Sequence, residues 1–197
     1  MVKILKLNLL NLEKGFRNKI MTEQKHLTDI QEFLARDTTQ NFLNAARQFV
    51  ELLELEIIDR EDYFKRAQTA LINLYASGHK FEEIDLEIEK KELNFNKSIS
   101  FENKNLNHIS TLGYDTKYRK VFNPINKNVH ELIQGDIALD FEDIYCDLKT
   151  ELDKMKIGTS EAVEDALWQM KFSFTIHWGT HCIDALRAMH SMLQKIN

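Results

Sequence analysis

His177 and His181 stand four residues apart in a stretch of helical periodicity. That spacing sends both imidazoles from the same side of a helix, one turn apart, where they can grip one divalent ion. Upstream, Asp136, Asp140, Asp143 and Asp147 recur at i, i+4, i+7 and i+11, which draws four carboxylates along one helical stripe. If the two helices pack antiparallel, Asp143 and Asp147 face His177 and His181 and complete a two-histidine, two-carboxylate set suited to zinc, iron or manganese. The same residues have plainer uses. An acidic stripe is often a solvated face favoured near a helix N-terminus, or it pairs with arginines, for which Arg187 and Arg119 are the candidates. Helical histidines often do no more than satisfy polar contacts, and Asp184, three residues after His181, is placed to orient it from behind. Around this set, Arg187 is the candidate for stabilising developing negative charge, and Phe174 and Trp178 for the aromatic wall of a pocket. The ordinary alternative for Trp178 is a core position with its N–H bonded, and for His190 a helix C-terminus that favours its cation.

Several enzyme classes are excluded by their best-known signatures. The histidine pair lacks the Glu of H-E-x-x-H and the paired Glu-x-x-His of di-iron bundles. Six glycines, none within two positions of another, leave no Walker A loop, no Rossmann turn and no G-x-S-x-G elbow, so no nucleotide cofactor site is expected. Cys146 and Cys182 fit neither a disulfide framework nor a zinc knuckle and read as reduced, mostly buried thiols. Cys182 adjoins His181 in sequence, but helical neighbours point about 100° apart.

The formal charge of −5 repels phosphate backbones and anionic membranes, so neither nucleic acid nor membrane is an expected partner. No apolar run approaches the roughly 18 residues that span a bilayer, and the N-terminus makes a poor signal peptide, which points to the cytoplasm. Residues 1–21 differ from the rest: Lys3, Lys6, Lys14, Arg17 and Lys19 face only Glu13, a basic extension expected to fray, and either Met1 or Met21 is a natural start.

The elements that must position the histidines are helical. Leu27, Ile30, Phe33 and Leu34 repeat at three and four. Asp37, Thr38 and Thr39 offer cap chemistry for a second helix carrying Phe42, Leu43, Ala46, Phe49, Val50 and Leu53. Asp59 caps a third, with Tyr63, Phe64, Ala67, Leu71, Leu74 and Tyr75 inward and Gly78 just past its end. Ile84, Leu86 and Ile88, then Leu93 and Phe95, alternate as in a small hairpin, and the Asn-rich run after them reads as a loop. A short helix is expected around Asp115 to Phe122, stopping before Pro124. Ile137, Phe141, Ile144, Leu148, Leu152 and Met155 define a helix from about Gln134 to Met155, punctuated by Gly158. A last helix follows the Thr159-Ser160 cap towards Gln194, with Gly179 a kink or a place of close approach. The expected fold is all-α: residues 22–197 form a single helical bundle of about five to seven helices, with a small irregular or β-hairpin insertion at about 81–113.

At these C-terminal residues the sequence resembles a bacterial family catalogued as domain of unknown function 5063. Phe141-Glu142-Asp143-Ile144-Tyr145-Cys146-Asp147-Leu148-Lys149 is similar to its D-I-Y-x-D-L-K segment. Lys171 to His181 is similar to its F-x-F-x-x-H-W-G-x-H segment, and Asp184 to His190 to its A-L-R-A-L-H ending. The resemblance covers most of residues 40–195. It implies a helical, bacterial protein and carries no activity, substrate or cofactor, while the extension before Met21 and the segment 81–113 look longer than the family norm.

Two functions stay open. One is a cytoplasmic protein-interaction or regulatory module, for example of the immunity type, whose acidic surface suits a basic partner. The other is a metal-dependent hydrolase in which Asp143, Asp147, His177 and His181 hold the ion and a bound water attacks.

Overall fold

In the computed structural model, residues 2–56, 59–84, 104–111, 116–121 and 132–194 are described, with side chains for Arg17 and from Ile20 onward apart from residues 109–111. Helix α1 (Val2–Ala35) runs unbroken through the basic stretch, and its last third is seated on the body by His26, Ile30 and Phe33. Helix α2 (Asp37–Leu53) follows after a one-residue break. The expected side-chain cap is absent there: the N-cap residue is Arg36, in an extended conformation, and Asp37 is already helical. Favouring by the helix dipole replaces a capping hydrogen bond at that end. Helix α3 (Arg60–Lys80) does start as expected, with Asp59 accepting from the Glu61 and Asp62 amides at 2.9 and 3.1 Å.

Gly78 is a correction. It lies inside α3, buried, where an added Cβ would come within 2.9 Å of Trp178 Cη2. The glycine therefore serves close approach of two helices rather than a helix end.

The middle of the chain departs most from expectation. The alternating segment from Asp85 to Phe95 lies outside the described residues. The Asn-rich run, expected as loop, contributes α4 (Lys104–Thr111), anchored because the buried Asn105 amide donates to the Leu55 carbonyl at 3.2 Å. Further on, β1 (Lys117–Val121) pairs antiparallel with β2 (Leu132–Asp136) in a hairpin, with Tyr118 opposite Gly135. A strand thus replaces the short helix expected around Asp115 to Phe122. Its period of two sends Tyr118 and Lys120 inward while Lys117, Arg119 and Val121 face out.

From β2 the chain turns directly into α5 (Ile137–Met155), because Asp136 ends the strand and caps the helix, its Oδ1 accepting from the Ala138 amide at 2.9 Å. Ile137, Phe141, Ile144, Leu148 and Leu152 form its buried seam as the spacing requires. Gly158 follows at φ +79°, a conformation glycine adopts without steric cost, and Thr159 then caps α6 (Ser160–Ser173). The expected single last helix is α6, a π turn over Phe174–Trp178, and α7 (Gly179–Leu193) in one run. At Gly179 a Cβ would strike the carbonyl oxygen of Phe174, five residues earlier in the same run, and come within 3.1 Å of its ring, so this glycine relieves crowding against the π turn rather than against another helix.

Helices α2, α3, α5 and α7 enclose the core, and α6 lies against α5 and α1. Phe42 stacks on Phe81 at 4.5 Å between centroids and Phe49 meets Phe141 edge-on at 5.6 Å. Each such ring contributes on the order of 2–3 kcal/mol of burial. The architecture is the expected all-α bundle with a small β-hairpin. Among the described residues, no helix is long and apolar enough to cross a membrane.

Candidate metal centre

Helix α5 presents Asp140, Asp143 and Asp147 at i, i+3 and i+7, one polar line beside its buried seam. The facing line comes from the π turn and α7. His177 Nδ1 lies 2.9 Å from Asp147 Oδ2, and His181 Nδ1 lies 2.7 Å from Asp140 Oδ1. Numbering rises along one helix as it falls along the other, so the two helices run antiparallel, as the sequence reading required. His181 Nε2 is 3.5 Å from Asp143 Oδ2, and the two imidazoles meet edge-to-face with centroids 4.8 Å apart. The π turn contributes directly, because an extra residue per turn sets where His177 emerges relative to His181, and such turns occur often at functional sites.

Asp143, His177 and His181 each offer one ligand atom, and these three atoms lie within 4.8 Å of one another. Donors around a tetrahedral zinc ion stand about 3.3 Å apart, from Zn–N lengths of about 2.0–2.1 Å. Side-chain rotations that move the donors by on the order of 1 Å close that difference, and His177, with 46% of its side chain exposed, has room to make one.

Asp147 has a different place from the one its spacing suggested: it stands on Nδ1 of His177, behind the ring. The outer partner of His181 is likewise corrected. Asp184 pairs with Lys120 at 2.8 Å, and it is Asp140 that holds His181. The expected cations are displaced too. Arg187 donates from Nη2 to the Arg119 carbonyl at 2.9 Å, while Lys120, 4.0 Å from Asp140, is the cation that meets the stripe. The aromatic pocket wall is also corrected. Trp178 is completely buried against Phe42, Phe174 and Gly78, and its indole N–H has no hydrogen-bond partner among the described residues. Phe174 is half-buried and packs on Tyr75. His190 sits at the exposed end of α7, 3.0 Å from the Gln194 amide nitrogen.

Sequence reasoning missed Tyr118 and Lys120 because it read their segment as helix. Two-residue alternation in Lys117-Tyr118-Arg119-Lys120-Val121 was the available signal. Tyr118 Oη donates to Asp140 Oδ2 at 2.5 Å, and burial, followed by that hydrogen bond, pushes its phenol well above the usual range. His181 is held above its usual value, first by the hydrogen bond to Asp140 and against the opposing effect of burial. Burial drives the Cys182 thiol far up, so it is inert packing beside the site.

A helical bundle with a two-stranded hairpin and an Asp/His cluster between its last helices is the class these features define. The chain belongs to the family described as Domain of unknown function (DUF5063), whose model matches residues 34–195. The crystal structure of protein BF1032 from Bacteroides fragilis is similar, with a TM-score of 0.64 and 20% identity over 81% of this chain and 94% of that one. That likeness shows the shared fold. No curated protein matches the chain.

Proposed function

We propose that the protein is a metal-dependent hydrolase whose divalent ion is held by His177, His181 and Asp143. One observation carries this reading: each imidazole is gripped through Nδ1 by its own carboxylate, at 2.9 Å from Asp147 and 2.7 Å from Asp140. A carboxylate on one nitrogen fixes the tautomer, orients the ring and raises the basicity of the other nitrogen, which is the arrangement that backs metal-ligating histidines. Three protein ligands would leave a coordination position for water, and a zinc ion bound there would lower the pKa of that water towards about 7 and make it a nucleophile for carbonyl or phosphoryl hydrolysis. The surrounding carboxylates favour cation entry. The unpaired thiols of Cys146 and Cys182 support placing this activity in the cytoplasm.

Metal analysis of tag-free protein, beside a His177→Ala/His181→Ala variant, tests the proposal. Near-stoichiometric zinc, iron or manganese that disappears in the folded variant is the expected result and would justify screening ester and phosphoester hydrolysis. A folded wild-type protein that takes up none of these metals would overturn it. The second reading, an interaction or regulatory module for a basic protein, is favoured by the exposed apolar side chains of Phe172, Ile176 and Ile183 beside an acidic surface. Salt-sensitive binding of a basic partner, unchanged in the histidine variant, is what that reading predicts.

A further inference from the structure

We infer that the β1–β2 hairpin locks the metal site, with Tyr118 the positioning residue that holds Asp140 on His181. The inference rests on the proposed metal reading and adds what controls it.

The lock begins with a glycine. Tyr118 and Gly135 are directly paired across the hairpin, and a Cβ on Gly135 would lie 2.6 Å from Tyr118 Cε2 and 2.7 Å from its hydroxyl. Only without that Cβ can the ring lie across β2, which carries its hydroxyl over to α5. There Asp140, just 3% exposed, uses both oxygens: Oδ2 accepts from Tyr118 at 2.5 Å and Oδ1 holds His181 at 2.7 Å. A buried carboxylate engaged at both oxygens has little freedom to rotate, so His181 Nδ1 stays the bonded nitrogen and Nε2 faces Asp143. Burial and the Asp140 contact keep Tyr118 protonated, hence a donor.

Further ties hold the hairpin against the same two helices. Thr116 Oγ1 donates at 2.7 Å to Asp136, which ends β2 and caps α5, Lys120 reaches Asp184 on α7 at 2.8 Å, and Arg187 reaches the Arg119 carbonyl at 2.9 Å. His177 stands apart from these ties: its carboxylate, Asp147, is 28% exposed, whereas they fall on Asp136, Asp184 and Arg187. Anything that seats the hairpin therefore favours metal, and by linkage metal seats the hairpin.

The test uses the full chain, stripped of metal and titrated with Zn2+ alone against a competing chelator, with Co2+ absorption reporting the ligand geometry. Tyr118→Phe is expected to bind Zn2+ roughly 10-fold more weakly, and Asp140→Asn roughly 100-fold. Gly135→Ala, which displaces the ring without removing its hydroxyl, should reproduce Tyr118→Phe. Hydrogen exchange at Lys117–Val121 should slow when Zn2+ binds. Circular dichroism confirms that each variant is folded. If wild type binds Zn2+ while folded Tyr118→Phe and Gly135→Ala bind it equally well and hairpin exchange is unchanged, the lock is refuted and the site stands. If wild type binds no Zn2+, the metal reading fails and the lock with it.

Discussion

Helix α5 carries two groups of carboxylates, one towards each end, and their surroundings are opposite. In the C-terminal half, Lys154 pairs with Glu151 at 2.6 Å and with Asp165 at 2.7 Å, and Lys156 pairs with Asp153 at 2.6 Å. Ammonium groups there meet the negative charge directly, and the cluster has a structural role. Towards the N-terminus, Asp140, Asp143 and Asp147 face imidazoles, and Lys120 lies at the margin between Asp140 and Asp184. An imidazole held at one nitrogen retains a second with a lone pair, so this cluster can still take a cation. Carboxylate count does not separate the two; the chemistry of the facing group does.

The largest expected effect follows from that difference. His177→Ala/His181→Ala should abolish metal uptake, whereas Lys154→Met should leave it untouched, both read by metal analysis after dialysis. Lys154→Met should instead destabilise the fold by about 3 kcal/mol in urea unfolding, because it strands a buried carboxylate. Glu151, pushed up to about 7 chiefly by burial, is the carboxylate affected. Its own replacement, Glu151→Gln, should cost under about 1 kcal/mol, since Asp165 continues to pair with Lys154. Equal costs for the two variants would break the comparison.

Within the histidine cluster, Asp143→Asn should weaken Zn2+ binding roughly 100-fold and Asp147→Asn roughly 10-fold, because one removes a ligand and the other its support. A reversed order would return Asp147 to the coordination sphere. The smallest effect is on pH dependence. With His181 raised in the folded state by Asp140, the pair stabilises the metal-free protein fully below the unfolded value of about 6.5, and that stability is lost as pH rises through the raised folded value. Chemical denaturation should therefore show a larger gap between wild type and His181→Gln at about pH 5.5 than at about pH 9.

Much of this was readable from side-chain spacing. The seam from Ile137 to Leu152, the Asp59 and Thr159 caps and the four-residue histidine spacing are local, and local periodicity is what a linear sequence records. The middle of the chain was harder. Lys117–Val121 is a strand because β2 pairs with it, and Lys104–Thr111 docks through Asn105; both depend on partners far away in the chain. The same holds for Gly78, whose neighbour is Trp178, 100 residues on.

By itself, then, the sequence determined an all-α bundle, its late helices and the residue types on their facing lines. Helical period and apolar spacing decide those before any long-range contact forms. Only the tertiary structure decided that Asp147 stands behind His177, that Asp140 rather than Asp184 orients His181, and that a tyrosine on a hairpin holds Asp140. Those assignments turn on which atom of a side chain meets which partner, and differences of a few ångströms between packed elements leave no trace in spacing along the chain.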